Sequence, residues 1–281
     1  MLTILIFFIA LLAYIFINAQ IEKFSLTTPN ITFHDKSTID KTPFIAYLSK
    51  NSLSELNYKL GLKTNTSQKK LTQHYLQHFI DFSKEEKNLI TTIIPDLLPL
   101  FKNIPFPTQA WHLVKTKSPL EFDYPYTIGK YIMIPENYLV GMNKKLIREM
   151  LVHEAVHLIQ RRYLPRFIQF YQRKYKLILA SSINASKISK FIVTNPDSMG
   201  LKWIIPQGGR YYYVPMLYLN GHTLKEDAFE MSRRGTTFSL RFQDNKVVKI
   251  PVSQLRFSKK NINIYDPNET FVDEFILRLK K

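Results

Sequence analysis

An α+β fold, with a helical N-terminal portion and a small mixed β-sheet preceded by a transmembrane helix, is what the sequence predicts. Three observations carry that expectation. The chain opens on an uncharged apolar run, residues 44–104 hold three capped or amphipathic helical segments, and from Pro105 short strands surround one strongly periodic helix. With 281 residues, 45% of them hydrophobic, the chain can bury a sizeable core.

Residues 1–20, MLTILIFFIALLAYIFINAQ, carry no charged side chain and are long enough to cross about 30 Å of hydrocarbon as a helix. The run lacks the basic leader of a signal peptide, so it reads as a single-pass membrane anchor, or an uncleaved signal. Residues 21–43 are polar and turn-rich, with prolines at 29 and 43, and read as a linker. In residues 44–104, one helix is expected from Phe44 to about Leu60 and another from Ser67 to about Phe82. Ser83 with Glu86 forms a capping box that opens a third.

Residues 105–281 form the second unit. Trp111 to Thr116 and Lys130 to Ile134 read as strands. Asn143 then caps a helix whose Leu146, Met150, His153, His157 and Gln160 share one stripe. A basic helix is expected from Arg166 to about Ile183. An insertion at about 184–264 contains the aromatic run Tyr211 to Tyr213 and a hairpin turning at Asp244-Asn245, and a short helix closes the chain from Pro267.

Lys plus Arg number 39 against 22 Asp plus Glu, a net charge of +17, so an anionic surface such as lipid headgroups would attract the chain. No nucleic-acid recognition motif accompanies that charge, and Arg is not interleaved with aromatics as in a stacking platform. The absence of cysteine excludes a disulfide framework, a thiolate nucleophile and thiolate metal ligands.

The chemistry concentrates in LVHEAVHLIQ, residues 151–160. His153 and His157 stand at i and i+4, so on a helix both imidazoles leave one face and can converge on one ion. Two imidazoles suit zinc, and a catalytic site needs a third protein ligand and an open position for water. Glu154, one position round, can reach that water as a general base without binding metal. His74 and His78 have the same spacing, but no carboxylate lies between them and their neighbours are polar, which reads as solvated surface.

Candidate third ligands are Glu226 and Glu230 in LKEDAFEM, and Glu269, Asp273 and Glu274 in YDPNETFVDEF. Pro267 can start a helix that sets Glu269 in its first turn and Asp273 on the same face, so one carboxylate could bind metal while the other orients a histidine. Tyr213 and His222 are candidate hydrogen-bond donors to a developing oxyanion.

HEAVH followed by Asn268, Glu269 and Asp273 resembles the gluzincins, the thermolysin-like zinc metallopeptidases. The stretch Glu121 to Pro135 leading into the HEAVH helix is also similar to uncharacterised HExxH proteins of viruses and protists. The resemblance covers about residues 111–161 and 266–275. It implies a zincin-like fold, one Zn2+ per chain held by His153, His157 and Glu269, Glu154 as general base, Asp273 bonded to a histidine ligand, and a peptide or protein substrate. The pattern departs from the thermolysin-like one in its long insertion before Glu269 and in Val272, where those enzymes have Ser. The chain is therefore expected to be a membrane-anchored zinc metallopeptidase. The alternative is a non-enzymatic, membrane-anchored structural or interaction protein on the same scaffold.

Overall fold

The computed structural model describes residues 29–62, 66–101, 110–221, 223–255 and 266–279. They form a mixed α/β fold with a curled sheet, not the zincin-like α+β arrangement behind a transmembrane helix that the sequence predicts. Among the described residues no helix is long and apolar enough to cross a membrane. The run over 1–20 and His222 lie outside the described residues.

The first sheet contains β1 (Asn30–His34), β2 (Phe79–Ile80), β3 (Ala110–Thr116), β4 (Tyr126–Ile128) and β5 (Tyr131–Pro135). β1, β3 and β5 run parallel, while β4 pairs antiparallel with β5 and β2 antiparallel with β3. Successive side chains of a strand leave opposite faces, and here both faces are covered. Trp111, Leu113, Ile132 and Ile134 face one core, and Val114, Tyr131 and Met133 face another, so β5 reads YIMIP with no polar interruption.

The second of these cores is closed by α1 (Thr42–Leu48), α2 (Leu53–Lys59) and α3 (Gln68–Gln77), through Phe44, Leu48, Leu56, Leu71 and Tyr75. The helical portion is thus split by the first sheet: these three helices form one layer over it, and the helix opened by Ser83 lies on its other face. The single helix expected over 44–60 is divided at residues 49–52, where Ser52 caps α2 by accepting from the Glu55 N–H. The expected linker also carries β1, whose alternating sequence NITFH is held by its parallel ladder to β3.

The first core lies on the other side of that sheet. There α4 (Lys84–Leu97), opened by the Ser83–Glu86 capping box, packs with α5 (Lys144–Arg162), α6 (Leu164–Lys174) and α7 (Pro267–Leu279). α5 buries Ile147, Leu151, Val152, Ala155, Val156 and Ile159 around most of its circumference, because sheet and helices surround it. Leu146, expected on the inward stripe, is exposed on its first turn. α6 ends at Lys174, short of the expected Ile183, and Lys176 takes a left-handed conformation (φ 57°) that turns the chain into the next sheet.

The expected insertion is a sheet larger than the first. It comprises β6 (Ile178–Leu179), β7 (Ser182–Asn184), β8 (Ile192–Val193), β9 (Trp203–Gln207), β10 (Tyr211–Asn220), β11 (Thr223–Arg234) and β12 (Thr237–Leu240). A small hairpin of β13 (Phe242–Gln243) and β14 (Lys246–Val247) turns at Asp244 and Asn245, both at positive φ, before β15 (Lys249–Pro251) pairs with β11. β10 and β11 make a long antiparallel ribbon. Its base packs Tyr213 and Ala228 against the helices, and its far end reaches over the face of α5 that carries the histidines.

Candidate metal centre

The site is assembled from α5, α7 and the turn at residues 195–198. Asn143 begins α5 by accepting from the N–H groups of Lys145 and Leu146 at 3.1 and 3.2 Å, which sets the helical register of everything after it. His153 and His157 therefore stand one turn apart on one face, with ring centroids 4.8 Å apart. α7 begins where Asp266 accepts from the Asn268 N–H at 2.8 Å and Pro267 supplies a pre-set first residue, placing Glu269 in the first turn. The helix is docked by fully buried Val272, by Phe271 edge-on to Phe167 at 5.1 Å and by Phe275 stacked on Phe101 at 6.3 Å.

The three side chains meet at one point. His153 Nε2 lies 3.2 Å from Glu269 Oε2, His157 Nε2 lies 3.4 Å from the same oxygen, and the two Nε2 atoms are 3.0 Å apart. A proton on one nitrogen can be aimed along only one edge of such a triangle, whereas a cation at its centre satisfies all three atoms. Ligands about 2.0–2.1 Å from a tetrahedral zinc are separated by about 3.3 Å, the size of the triangle found. Two imidazoles and a carboxylate are also a donor set suited to zinc.

The surroundings fix how each ligand is presented. Tyr171 donates its hydroxyl to Asn268 Oδ1 at 3.0 Å, and the Gln160 amide N–H2 donates to the Tyr171 oxygen at 3.0 Å and to the Asn268 carbonyl at 2.9 Å. That leaves Gln160 Oε1, an acceptor only, 2.8 Å from His157 Nδ1. Nδ1 must carry the proton, so in the neutral ring the Nε2 lone pair points at the triangle. Asn195 Nδ2 donates to Glu269 Oε1 at 2.7 Å and holds the other oxygen of the carboxylate. The resemblance implies Asp273 as the partner of a histidine ligand. In the fold it lies one turn along α7, half-buried, and the Gln160 amide holds His157.

Replacing Gln160 by Leu is expected to weaken zinc binding by about 10- to 100-fold while leaving the three ligands in place. Competition against a chromogenic chelator at fixed pH measures this, and an unchanged affinity would count against the role given to the amide.

The field at the triangle favours positive charge. Burial alone lowers the His157 pKa, but the carboxylates of Asp197, Glu269 and Glu154 outweigh it and hold that imidazole well above its ordinary value. Burial alone raises Glu269, yet His157 and His153 beside it hold it well below the ordinary carboxylate range. A divalent cation would meet the same demand. Glu154 is buried beside the pair, and its Oε2 has no hydrogen-bond partner. Burial first, and Asp197 second, push its pKa well above the usual carboxylate range. Asp197 is held from its own side by the Thr127 backbone N–H at 3.0 Å and by the Thr127 hydroxyl, with Arg161 3.9 Å away.

A cavity of about 790 Å³ opens onto His153, Glu154 and Glu269. Tyr58, Phe122, Tyr124 and Tyr138 line one part of it, and Leu217 and Leu224 of the β10–β11 ribbon another. Glu121, Phe122 and Asp123 lie in succession in the left-handed region (φ 46°, 62° and 59°), which costs on the order of 1 kcal/mol or more per residue. Glu121 is tied down by Tyr47 and Tyr75, each donating at 3.1 Å, and by Lys59 at 3.2 Å, so the strained turn keeps Phe122 at the cavity wall.

Two other candidates do not join the site. Tyr213 packs in the core opposite Glu230 on the β10–β11 ribbon, and it is not among the residues lining the cavity. Glu226 is exposed on β11 opposite Leu217 and belongs to neither group of converging ligand atoms among the described residues, His153 with His157 and Glu269, or Glu154 with His157 and Asp197. Conversely, Asn195, Asp197 and the orienting roles of Gln160 and Asn268 have no signature in the sequence beyond an Asn-Pro-Asp turn in the insertion. No protein-family model matches the chain, and neither a curated protein nor a solved structure matches it.

Proposed function

We propose that the chain is a zinc-dependent peptidase in which His153, His157 and Glu269 hold the metal and Glu154 is the general base. The observation that carries the reading is the triangle of ligand atoms with edges of 3.0, 3.2 and 3.4 Å, beside a buried carboxylate whose Oε2 is unpartnered. Zinc bound there would supply Lewis acidity, polarising the scissile carbonyl and making water easier to deprotonate.

The chain's own groups do the rest. Glu154 takes a proton from the water whose oxygen bonds to the carbonyl carbon, and it returns that proton to the amine nitrogen as the carbon–nitrogen bond breaks. Asp197 and the surrounding apolar wall raise the affinity of Glu154 for the proton it carries between the two steps. Gln160 and Asn195 keep His157 and Glu269 oriented throughout. The cavity presents mainly aromatic and aliphatic side chains to the substrate.

Purified chain is expected to hold about one zinc by elemental analysis and to hydrolyse members of a quenched-fluorescent peptide library, with loss on chelation and recovery on zinc addition. A chain that binds no zinc would sink the proposal.

A further inference from the structure

Beside the cavity mouth the fold turns apolar side chains into solvent. Between Tyr138 and Leu146, both of which line the cavity, the chain makes a short turn. Leu139 is buried and anchors it, while Gly141 at φ 71° and Met142 at φ 46° reverse its direction. Val140 is left 75% exposed and Met142 46% exposed, with Leu146 at 42% on the next turn and Tyr124 at 65% across the mouth. Met142 is not glycine, so its left-handed conformation adds strain to the cost of exposed apolar surface, and nothing among the described residues covers these side chains.

Charge accompanies them. Lys144, Lys145 and Arg148 are exposed within the same ten residues, 139–148, and no carboxylate falls in that stretch. Apolar tips that can enter the boundary between headgroups and acyl chains, ringed by cations that pair with anionic headgroups, are the chemistry of an interfacial lipid contact.

We propose that this rim docks the cavity mouth on an anionic lipid surface, with Val140, Met142 and Leu146 entering the interface and Lys144, Lys145 and Arg148 bound to headgroups. The inference goes beyond the peptidase reading and does not depend on metal. It places the mouth of the cavity, through Tyr124 and Leu146, at the bilayer surface.

The chain has no cysteine, so Val140→Cys in the full chain gives one thiol for an environment-sensitive nitrobenzoxadiazole label. Because the label reports on residue 140 alone, attachment of the chain elsewhere does not produce the signal. With vesicles of phosphatidylcholine and phosphatidylserine, emission is expected to shift to the blue and to be quenched by doxyl-labelled lipid. Pure phosphatidylcholine, the added pair Lys144→Glu and Lys145→Glu, or a label at Arg233→Cys on the second sheet should each weaken quenching by more than about tenfold. Circular dichroism checks that each variant is folded. A label at 140 that stays open to aqueous iodide on anionic vesicles would overturn the proposal, as would equal quenching in neutral vesicles. Protection from iodide without doxyl quenching would assign the rim to a protein contact and overturn it as well.

Discussion

Glu154→Gln is expected to keep about one zinc per chain and to lower peptide turnover by about 10³-fold, within the range a positioned general base contributes. The change is close to isosteric, and the side chain lies outside the triangle of His153, His157 and Glu269, so all three of those ligand atoms stay in place. A carboxamide cannot take the proton from water, which is the step assigned to this residue. The environment argues the same way. A buried carboxylate oxygen without a partner costs on the order of 1–3 kcal/mol or more. Burial and Asp197 add to that by making the charged form harder to hold. Attraction from His157 and Arg161 offsets part of this cost, but among the described residues no hydrogen bond reaches that oxygen, whereas one from a reacting water would. Elemental analysis and a fluorogenic peptide assay on the same preparation measure both quantities. Loss of zinc in parallel with activity would make Glu154 a structural part of the centre, and unchanged turnover would remove it from the chemistry.

Local signals in the sequence were legible and non-local ones were not. The Ser83–Glu86 box, the Asn143 cap, the Asp244-Asn245 turn and the Pro267 start are each written in three or four adjacent residues, and each stands in the structure where the spacing puts it. β1 is hidden because the alternation in NITFH spans only five residues of a turn-rich stretch, too little to separate a strand from a tether until β3 is beside it. The second sheet was hidden for the same reason. Its strands between residues 178 and 251 include several of two or three residues, too short for period-two alternation to register. The site divides along the same line. The two histidines and Glu154 are set by one helix, so spacing alone gives their geometry. Gln160 sits on that helix too, but its role comes from Tyr171 and Asn268, and Asn195 reaches Glu269 from a turn far away in the chain. Tyr213 and Glu226 stand out in the same insertion by residue type alone, and the pleat of the β10–β11 ribbon decides where they point.

Glu269→Ala is expected to abolish tight zinc binding and, with it, the stabilisation that zinc confers. His153 and Glu269 are 116 residues apart and belong to separate helices, so the metal would tie α5 to α7 with the whole second sheet lying between them along the chain. Closing so long a loop costs little more than closing one half as long, about 0.6 kcal/mol per doubling, which is why the insertion can be large without weakening the site. What must be supplied is the docking of α7 by Phe271, Val272 and Phe275, and the bond network around Asn268. With zinc at about 1,000 times its dissociation constant, binding to the folded chain alone adds about 4 kcal/mol, or roughly 8–16 °C in Tm for a domain of this size. The native chain should show that difference between zinc-loaded and chelated samples, and Glu269→Ala should lose it. The variant's chelated form will also fall below the native chelated form, since His157 loses a carboxylate that favours its charge. For that reason the comparison is the zinc-dependent shift within each protein, read by calorimetry. A shift of native size in Glu269→Ala would exclude this glutamate as the third ligand. A shift absent from the native chain as well would exclude the centre itself.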